Sequence, residues 1–190
     1  MNSGLISSRY TTSLLDYAIL LGQEEEVYVR MKILTAMFFE VPKLHNTLLD
    51  PSLPNPEKKK IILTACGGIV PSSLGKMIDL ILKNEREESI QYIALRYIDR
   101  YREKFHIQHG KLITAVEMDS ETHKRLIIRI EKVVGGEIEL EPIVDPAIMG
   151  GFVLHLGDYR WDASIAGELT RIRKRIDGVK ENSVKTEDVR

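Results

Sequence analysis

Through most of the first hundred positions, apolar residues recur at spacings of three and four, and strong breakers divide them into six runs. Ile6, Tyr10, Leu14, Tyr17, Ala18 and Leu21 form the first stripe, which predicts a helix over residues 5–21 that stops at Gly22. Glu24, Glu25 and Glu26 then place negative charge at the start of a second helix. Its stripe of Val27, Met31, Leu34, Met37 and Phe38 runs up to Pro42. A short third helix over 43–49 ends before Asp50-Pro51-Ser52-Leu53-Pro54-Asn55-Pro56, whose prolines cannot continue it. The fourth run, 57–66, stops at Gly67-Gly68. Ser72-Ser73 is placed to cap a fifth, which extends to Asn84 through Leu74, Met77, Ile78 and Ile81. The sixth run, 87–105, is the longest. Ile90, Ile93, Ala94, Tyr97, Ile98 and Tyr101 give it a face broad enough for the inside of a helical bundle.

Beyond His109-Gly110 the period changes. Residues 111–118 (KLITAVEM) predict a strand, and Asp119-Ser120 caps a helix over 121–134 that Gly135-Gly136 ends. Glu137-Ile138-Glu139-Leu140-Glu141 alternates charge and hydrophobe, the mark of a half-exposed strand. Residues 151–156 predict a further strand, Gly157-Asp158 a tight turn and 159–161 a return strand. Ser164 then caps a closing helix with Ile165, Leu169, Ile172 and Ile176 on one face. The expected fold is α+β in two domains. A six-helix bundle over 1–105 precedes a small β-α-β-β-α domain over 106–178, and 179–190 form a polar, flexible tail.

Composition narrows what such a chain does. With 43% hydrophobic and 29% charged residues, disorder throughout is excluded. Lys+Arg 27 against Asp+Glu 28 leaves a net charge of −1. The halves carry +1 (14 basic, 13 acidic over 1–105) and −2 (13 basic, 15 acidic over 106–190), so neither attracts a polyanion. The longest uncharged stretch, 61–75, is broken by Gly67, Gly68, Pro71, Ser72 and Ser73, and falls short of the ~20 apolar residues a bilayer span needs. The single cysteine, Cys66, excludes an intramolecular disulfide and fits a reducing compartment. It lies in an apolar run and reads as a small buried hydrophobe. The opening Met1-Asn2-Ser3-Gly4-Leu5-Ile6 has neither the basic nor the apolar region of a secretory signal, which points to a bacterial cytoplasm.

Candidate chemistry is thin. Gly75-Lys76 does not end a phosphate loop, because Val70 stands where the first glycine is needed and Met77 where Ser or Thr is needed. His106 and His109 share helical spacing but have no HExxH or cysteine companions. Glu85, Glu87 and Glu88 read as charge at a helix start. No GxSxG elbow occurs, and Gly150-Gly151 lacks dinucleotide-loop spacing. No catalytic residue, cofactor site or metal site is assigned.

The informative stretch is Val144 to Ile176. It holds Asp145, Ile148, Gly150-Gly151, the apolar Phe152-Val153-Leu154, Gly157-Asp158, Asp162-Ala163-Ser164, and Leu169 with Arg171 and Arg173. This order resembles the C-terminal signature of the delta subunit of F-type ATP synthases, the family that includes the oligomycin-sensitivity-conferring protein. Ala163 departs from the family's usual glycine, and the bulky Trp161 precedes Asp162. The family's opening helix is matched in outline by Arg9-Tyr10 and Leu14-Leu15-Asp16-Tyr17-Ala18, although Thr11 and Thr12 replace small apolar residues. Its helix ending near Asn-x-Arg is matched by Leu80 to Arg86. The resemblance covers residues 5–178.

The resemblance implies a non-catalytic connector of the peripheral stalk, at the cytoplasmic face of the bacterial cell membrane without spanning it. The helical domain would bind N-terminal segments of the alpha subunits on the catalytic head, with beta subunits as further contacts. The C-terminal domain would contact the b subunits, so that the head resists rotor torque during proton-driven ATP synthesis. In the family a groove between the first and fifth helices receives an amphipathic alpha-subunit helix. The matching positions here are Tyr10, Leu14 and Tyr17 with Lys76, Asp79, Leu80 and Lys83. Leu169, Ile172 and Arg173 are the stalk-side candidates. A competing reading, an RNA-associated helical-bundle factor in transcription or translation, rests on Lys58-Lys59-Lys60 and on Arg171, Arg173, Lys174 and Arg175.

Overall fold

The buried apolar residues of the first hundred positions lie on the inward faces of α1 (Ser3–Leu21), α2 (Glu24–Glu40), α3 (Lys43–Leu49), α4 (Asn55–Ala65), α5 (Ser72–Lys83) and α6 (Ile90–Phe105). The structure, a computed structural model, describes residues 3–184 and divides into two compact units, Met1–Phe105 and His106–Arg190. Among the described residues there are eight α-helices and one four-stranded sheet.

In the first unit, α6 packs against both α1 and α2. Leu14 and Ala18 of α1, Val27, Met31 and Leu34 of α2, and Ile93, Ala94 and Tyr97 of α6 are essentially closed to solvent. Each large member contributes roughly 1.5–3 kcal/mol on burial. Tyr97 would be costly there with a free hydroxyl, but it donates to the Glu24 carbonyl at 3.2 Å. Tyr28 stacks on Tyr101 with ring centroids 4.2 Å apart, and Phe105 continues the column at 4.5 Å.

The starts of α4, α5 and α6 differ from the expected ones, each for an identifiable reason. The helix α4 begins at Asn55, because Pro56 sits in its first turn, where a missing N–H breaks no bond. The serine cap of α5 is not formed: Pro71 holds the N-cap position with no side-chain bond. Gln23, from the link between α1 and α2, accepts instead from the Ser73 N–H at 3.1 Å and the Ser72 hydroxyl at 3.3 Å. Ahead of α6, residues Glu87–Ser89 take a 3-10 turn that carries Glu87 inward to Lys58. The resulting ion pair is 2.8 Å long, and each of its side chains is only 8% exposed.

The second unit contains β1 (Gln108–Thr114), α7 (Ser120–Val134), β2 (Ile138–Val144), β3 (Gly151–Leu156), β4 (Tyr159–Ser164) and α8 (Ile165–Val184). The strand order is β2-β1-β3-β4, with β1 and β2 parallel across α7 and the other pairs antiparallel. The strand β1 lies earlier than its alternation predicts. Its extent is set by pairing on both edges, and the Thr114 hydroxyl turns out of it to the Val116 carbonyl. β2 continues past Pro142 because it is an edge strand, where a residue without an N–H is tolerated. Likewise β4 runs to Ser164, paired with Gly151. Leu112, Ile130, Ile138, Leu140, Leu154 and Leu156 form the core, and Phe152, Leu126 and Ile127 pack against it. Asp119 caps α7 by accepting from the Glu121 and Thr122 N–H groups, and Gly135 ends it at φ +78°.

The corner from sheet to α8 is tightly built. The Asp162 carboxylate accepts from the Ser164 N–H at 3.1 Å and hydroxyl at 2.6 Å, and the Ser164 oxygen accepts from the Gly167 N–H at 3.0 Å. Arg171 reaches back to the Asp162 carbonyl at 2.7 Å. Ala163, in place of the family's glycine, fits because its backbone is that of a paired strand residue. Gly151 has no such latitude. Its φ is +74°, and a Cβ there would lie 2.1 Å from the Ala163 carbonyl oxygen. The helix α8 continues through Gly178 to Val184, past the boundary expected at 178. One glycine costs a helix only about 1 kcal/mol and does not break it. The remainder of the expected tail, 185–190, lies outside the described residues.

Gly151→Ala is expected to destabilise the second unit by at least about 2 kcal/mol, combining a left-handed backbone with a backbone clash. Urea unfolding followed by the emission of Trp161, the chain's single tryptophan, measures it directly.

Candidate functional site

Two tyrosines lean from α1 onto α5. Tyr17 accepts a hydrogen bond from Lys76 at 2.8 Å, with the ammonium 5.3 Å from its ring centroid. Seven positions earlier on α1, Tyr10 accepts from the Asn84 amide at 2.9 Å, and the Arg86 guanidinium lies 5.9 Å from its ring. Pairing 17 with 76 and 10 with 84 makes the two helices antiparallel. Leu80, midway between Lys76 and Asn84, therefore falls between the two bridges, and it is 46% exposed. The outcome is an apolar patch framed by aromatic rings and cations, with both phenol oxygens already oriented.

The other sequence candidates fall in different places. Leu14 is fully buried, so it belongs to the core of the unit and not to its surface. Asp79 is exposed but engaged by Lys59 at 2.6 Å. Lys83 is exposed in the last turn of α5. Asn84 and Arg86 were not among the candidates. Their signal lay in the Asn-x-Arg helix ending, which the fold brings against the Arg9-Tyr10 match at the other end of the unit.

On the second unit, Leu169 and Ile172 are 52% and 42% exposed on α8, in line with the exposed Ile165 and Ile176. Arg173 is exposed beside them. Arg171 is engaged with Glu168 at 3.1 Å. The Asp162 carboxyl is held below the usual carboxylate range, first by its bonds to Ser164 and then by Arg160 and Arg171.

The chain belongs to the ATP synthase delta (OSCP) subunit family.

A sequence model of that description matches residues 6–176. An ATP synthase subunit delta from Bacteroides thetaiotaomicron is 38% identical over 177 residues, covering 92% of this chain and 95% of the relative. One from Bacteroides fragilis is 40% identical over 177 residues, with the same coverage of each chain. One from Parabacteroides distasonis is 40% identical over 174 residues, covering 91% and 96%. Among solved structures, a chain of the Toxoplasma gondii mitochondrial ATP synthase hexamer shares the fold, with a TM-score of 0.59 at 17% identity over 90% of this chain and 96% of that one. Membership makes the protein a delta-type subunit of the F-type ATP synthase and a component of its peripheral stalk, in a family whose members carry no catalytic site of their own. It is a peripheral subunit of a membrane complex, and no helix among the described residues is long and apolar enough to cross a bilayer.

Part of the basic charge behind the RNA reading is engaged within the protein. Lys58 is buried against Glu87, Lys59 is held by Asp79, and Arg171 is held by Glu168 and the Asp162 carbonyl. His109 lies in β1, and His106 precedes it at φ +55°, so the two share no helix face. Among the described residues no group of His, Cys, Asp or Glu is placed to hold a metal.

Cys66 is buried, and desolvation pushes its thiol from an ordinary 9.0 up to about 12, with Arg30 opposing weakly. At pH 8 the native thiolate fraction is then roughly 1000-fold below that of the unfolded chain. A disulfide reagent is therefore expected to label Cys66 only as fast as the first unit opens. Labelling at the rate of a free thiol in native buffer would contradict this.

Proposed function

We propose that the chain joins the catalytic head of the synthase to the membrane-anchored b subunits through one surface on each unit, so that the head is held against rotor torque at the cytoplasmic face of the membrane. The helical unit, read as the family's six-helix bundle over 1–105, takes the alpha-subunit N-terminal helix. The observation that carries this is the exposed Leu80 set between the Tyr10–Asn84 and Tyr17–Lys76 bridges. An amphipathic helix placed there buries apolar anchors against Leu80 and the two rings, while Lys76 and Lys83 favour acidic residues on its flanks. Aromatic residues of this kind, rigid and half-buried, commonly dominate interface energies.

The unit over 106–178 takes the b subunits. Ile165, Leu169, Ile172 and Ile176 follow spacings of four, three and four, the seam of a two-stranded coiled coil. Glu168 to Ile176 are all exposed in the isolated chain. A helix so little supported gains most of its stability from a partner. Lys174 and Arg175 beside the seam suit a partner helix with acidic flanks.

Calorimetric titration of the full chain with a peptide from the host's own alpha-subunit N-terminus tests the first surface. One-to-one binding is expected, weakened about tenfold or more by Tyr10→Ala with a smaller proportional loss of thermal stability. Matched losses of affinity and stability would sink the assignment. For the second surface, Leu169→Glu is expected to weaken b-subunit binding at least tenfold with little change in the melting temperature, because Leu169 is more than half exposed in the free chain. Unchanged affinity would move the stalk contact off α8.

A further inference from the structure

The end of α5 that meets Tyr10 turns on a backbone conformation that glutamate does not favour. Glu85, between Asn84 and Arg86, has φ +53°, in the left-handed region where a side chain is strained. The helix closes around it: the Arg86 N–H donates to the Ile81 carbonyl at 3.1 Å, and the Glu85 N–H to the Leu82 carbonyl at 3.2 Å. Such a residue keeps its conformation only where its surroundings hold it there. Here the hold comes from α4, whose opening residues reach α5 and its exit at three points. The Asn55 amide donates to the Leu82 carbonyl at 3.4 Å, the Lys59 ammonium pairs with Asp79 at 2.6 Å, and the Lys58 ammonium pairs with Glu87 at 2.8 Å. The third of these is buried, so neither charge has solvent to turn to if its partner moves. The helix α5 is thus gripped on one face by the two tyrosines of α1 and on another by α4.

We infer that Lys58 and Glu87 are positioning residues for the α1–α5 patch: their ion pair pins the corner after α5, so that Asn84 stays on the Tyr10 hydroxyl and Arg86 over its ring. Both side chains are buried and act on a bound helix only through Asn84 and Arg86. This rests on the reading of the patch as the alpha-subunit site and deepens it, by adding residues that set its shape without touching its occupant. Stability does not account for the pair, because two buried charges gain little over well-packed apolar side chains of similar volume. Apolar side chains do not supply direction. An ion pair specifies one separation and one approach, whereas apolar neighbours pack nearly as well after a small slide. A slide of about 1 Å is enough to take the 2.9 Å bond between Asn84 and Tyr10 out of hydrogen-bonding range.

Replacing the pair as a unit tests this without stranding a charge. The full chain is isotope-labelled, and the Asn84 side-chain amide is followed by proton–nitrogen NMR, with Tyr10→Phe marking where its signals fall once the phenol oxygen is gone. In Lys58→Met combined with Glu87→Leu, the melting temperature is expected at or above the parent's. The Asn84 signals should nevertheless move towards the Tyr10→Phe position, and affinity for the alpha-subunit N-terminal peptide should fall about fivefold. The reversed pair, Lys58→Glu with Glu87→Lys, spans the same gap with the same total reach and should restore both the signals and the affinity. A purely structural role predicts instead that affinity follows melting temperature through the series, and that result would overturn the inference. Parental Asn84 signals in the folded apolar variant would overturn it as well. If the apolar variant does not fold, Asn55→Ala, at an exposed position, takes its place: its Asn84 signals should move at an unchanged melting temperature, and unmoved signals would count equally against the brace. Should the parent fail to bind the peptide, the alpha-subunit reading falls, while the Asn84 signals still decide whether the pair holds the corner.

Discussion

The packing of α6 into the angle between α1 and α2 fixes how α1 is rotated about its own axis, and the partner-facing surface of the helical unit follows from that rotation. With Leu14 and Ala18 turned inward against Ile93, Ala94 and Tyr97, the neighbouring face of α1 can only present Tyr10 and Tyr17 towards α5. A slip of one residue in α1 would carry both phenols away from Lys76 and Asn84. The core therefore does more than stabilise. It sets the register in which two widely separated pieces of chain meet.

Bonds made by side chains from distant segments supplement this packing. Gln23 ends the exposed N–H groups of α5, Lys58 and Glu87 close a buried pair beside the α6 entrance, and Tyr97 ties α6 to the start of α2. A buried ion pair of this kind is not strong evidence for net stability, but losing one partner would strand the other charge, typically at a cost of about 3–5 kcal/mol. Its effect is to penalise misplacement of the 3-10 turn, and through it the end of α5 that holds Asn84 and Arg86.

The helices were legible because their apolar stripes and breakers are local, and so were the Gly157-Asp158 hairpin and the Asp119 and Ser164 caps. The starts of α5 and α6 were not, since Gln23 and Lys58 act from far away in the chain. The limits of β1 and β2 depended on pairing, which alternation within one strand does not encode. For the site, the Tyr10 and Tyr17 positions came from resemblance, and periodicity alone left Leu14 equally eligible; only burial separates them. Asn84 and Arg86 were visible as a recurring helix ending without any hint of their contact with Tyr10. The cavity between α7 and the sheet was invisible, because Val133 and Trp161 come to line it together only when β4 joins the sheet.

The corner at Asp162 and Ser164 has a consequence for how α8 is made and kept. Its first turn is anchored by side-chain bonds, yet from Glu168 to Ile176 every residue remains exposed in the free chain. A helix nucleated at one end and unsupported beyond it frays from the far end inward. Amide hydrogens along α8 should then exchange with solvent in a gradient, slowest beside Ser164 and fastest towards Val184. The corner thus acts as a template: a partner needs to extend a helix already begun, and only the later turns carry the entropic cost of ordering.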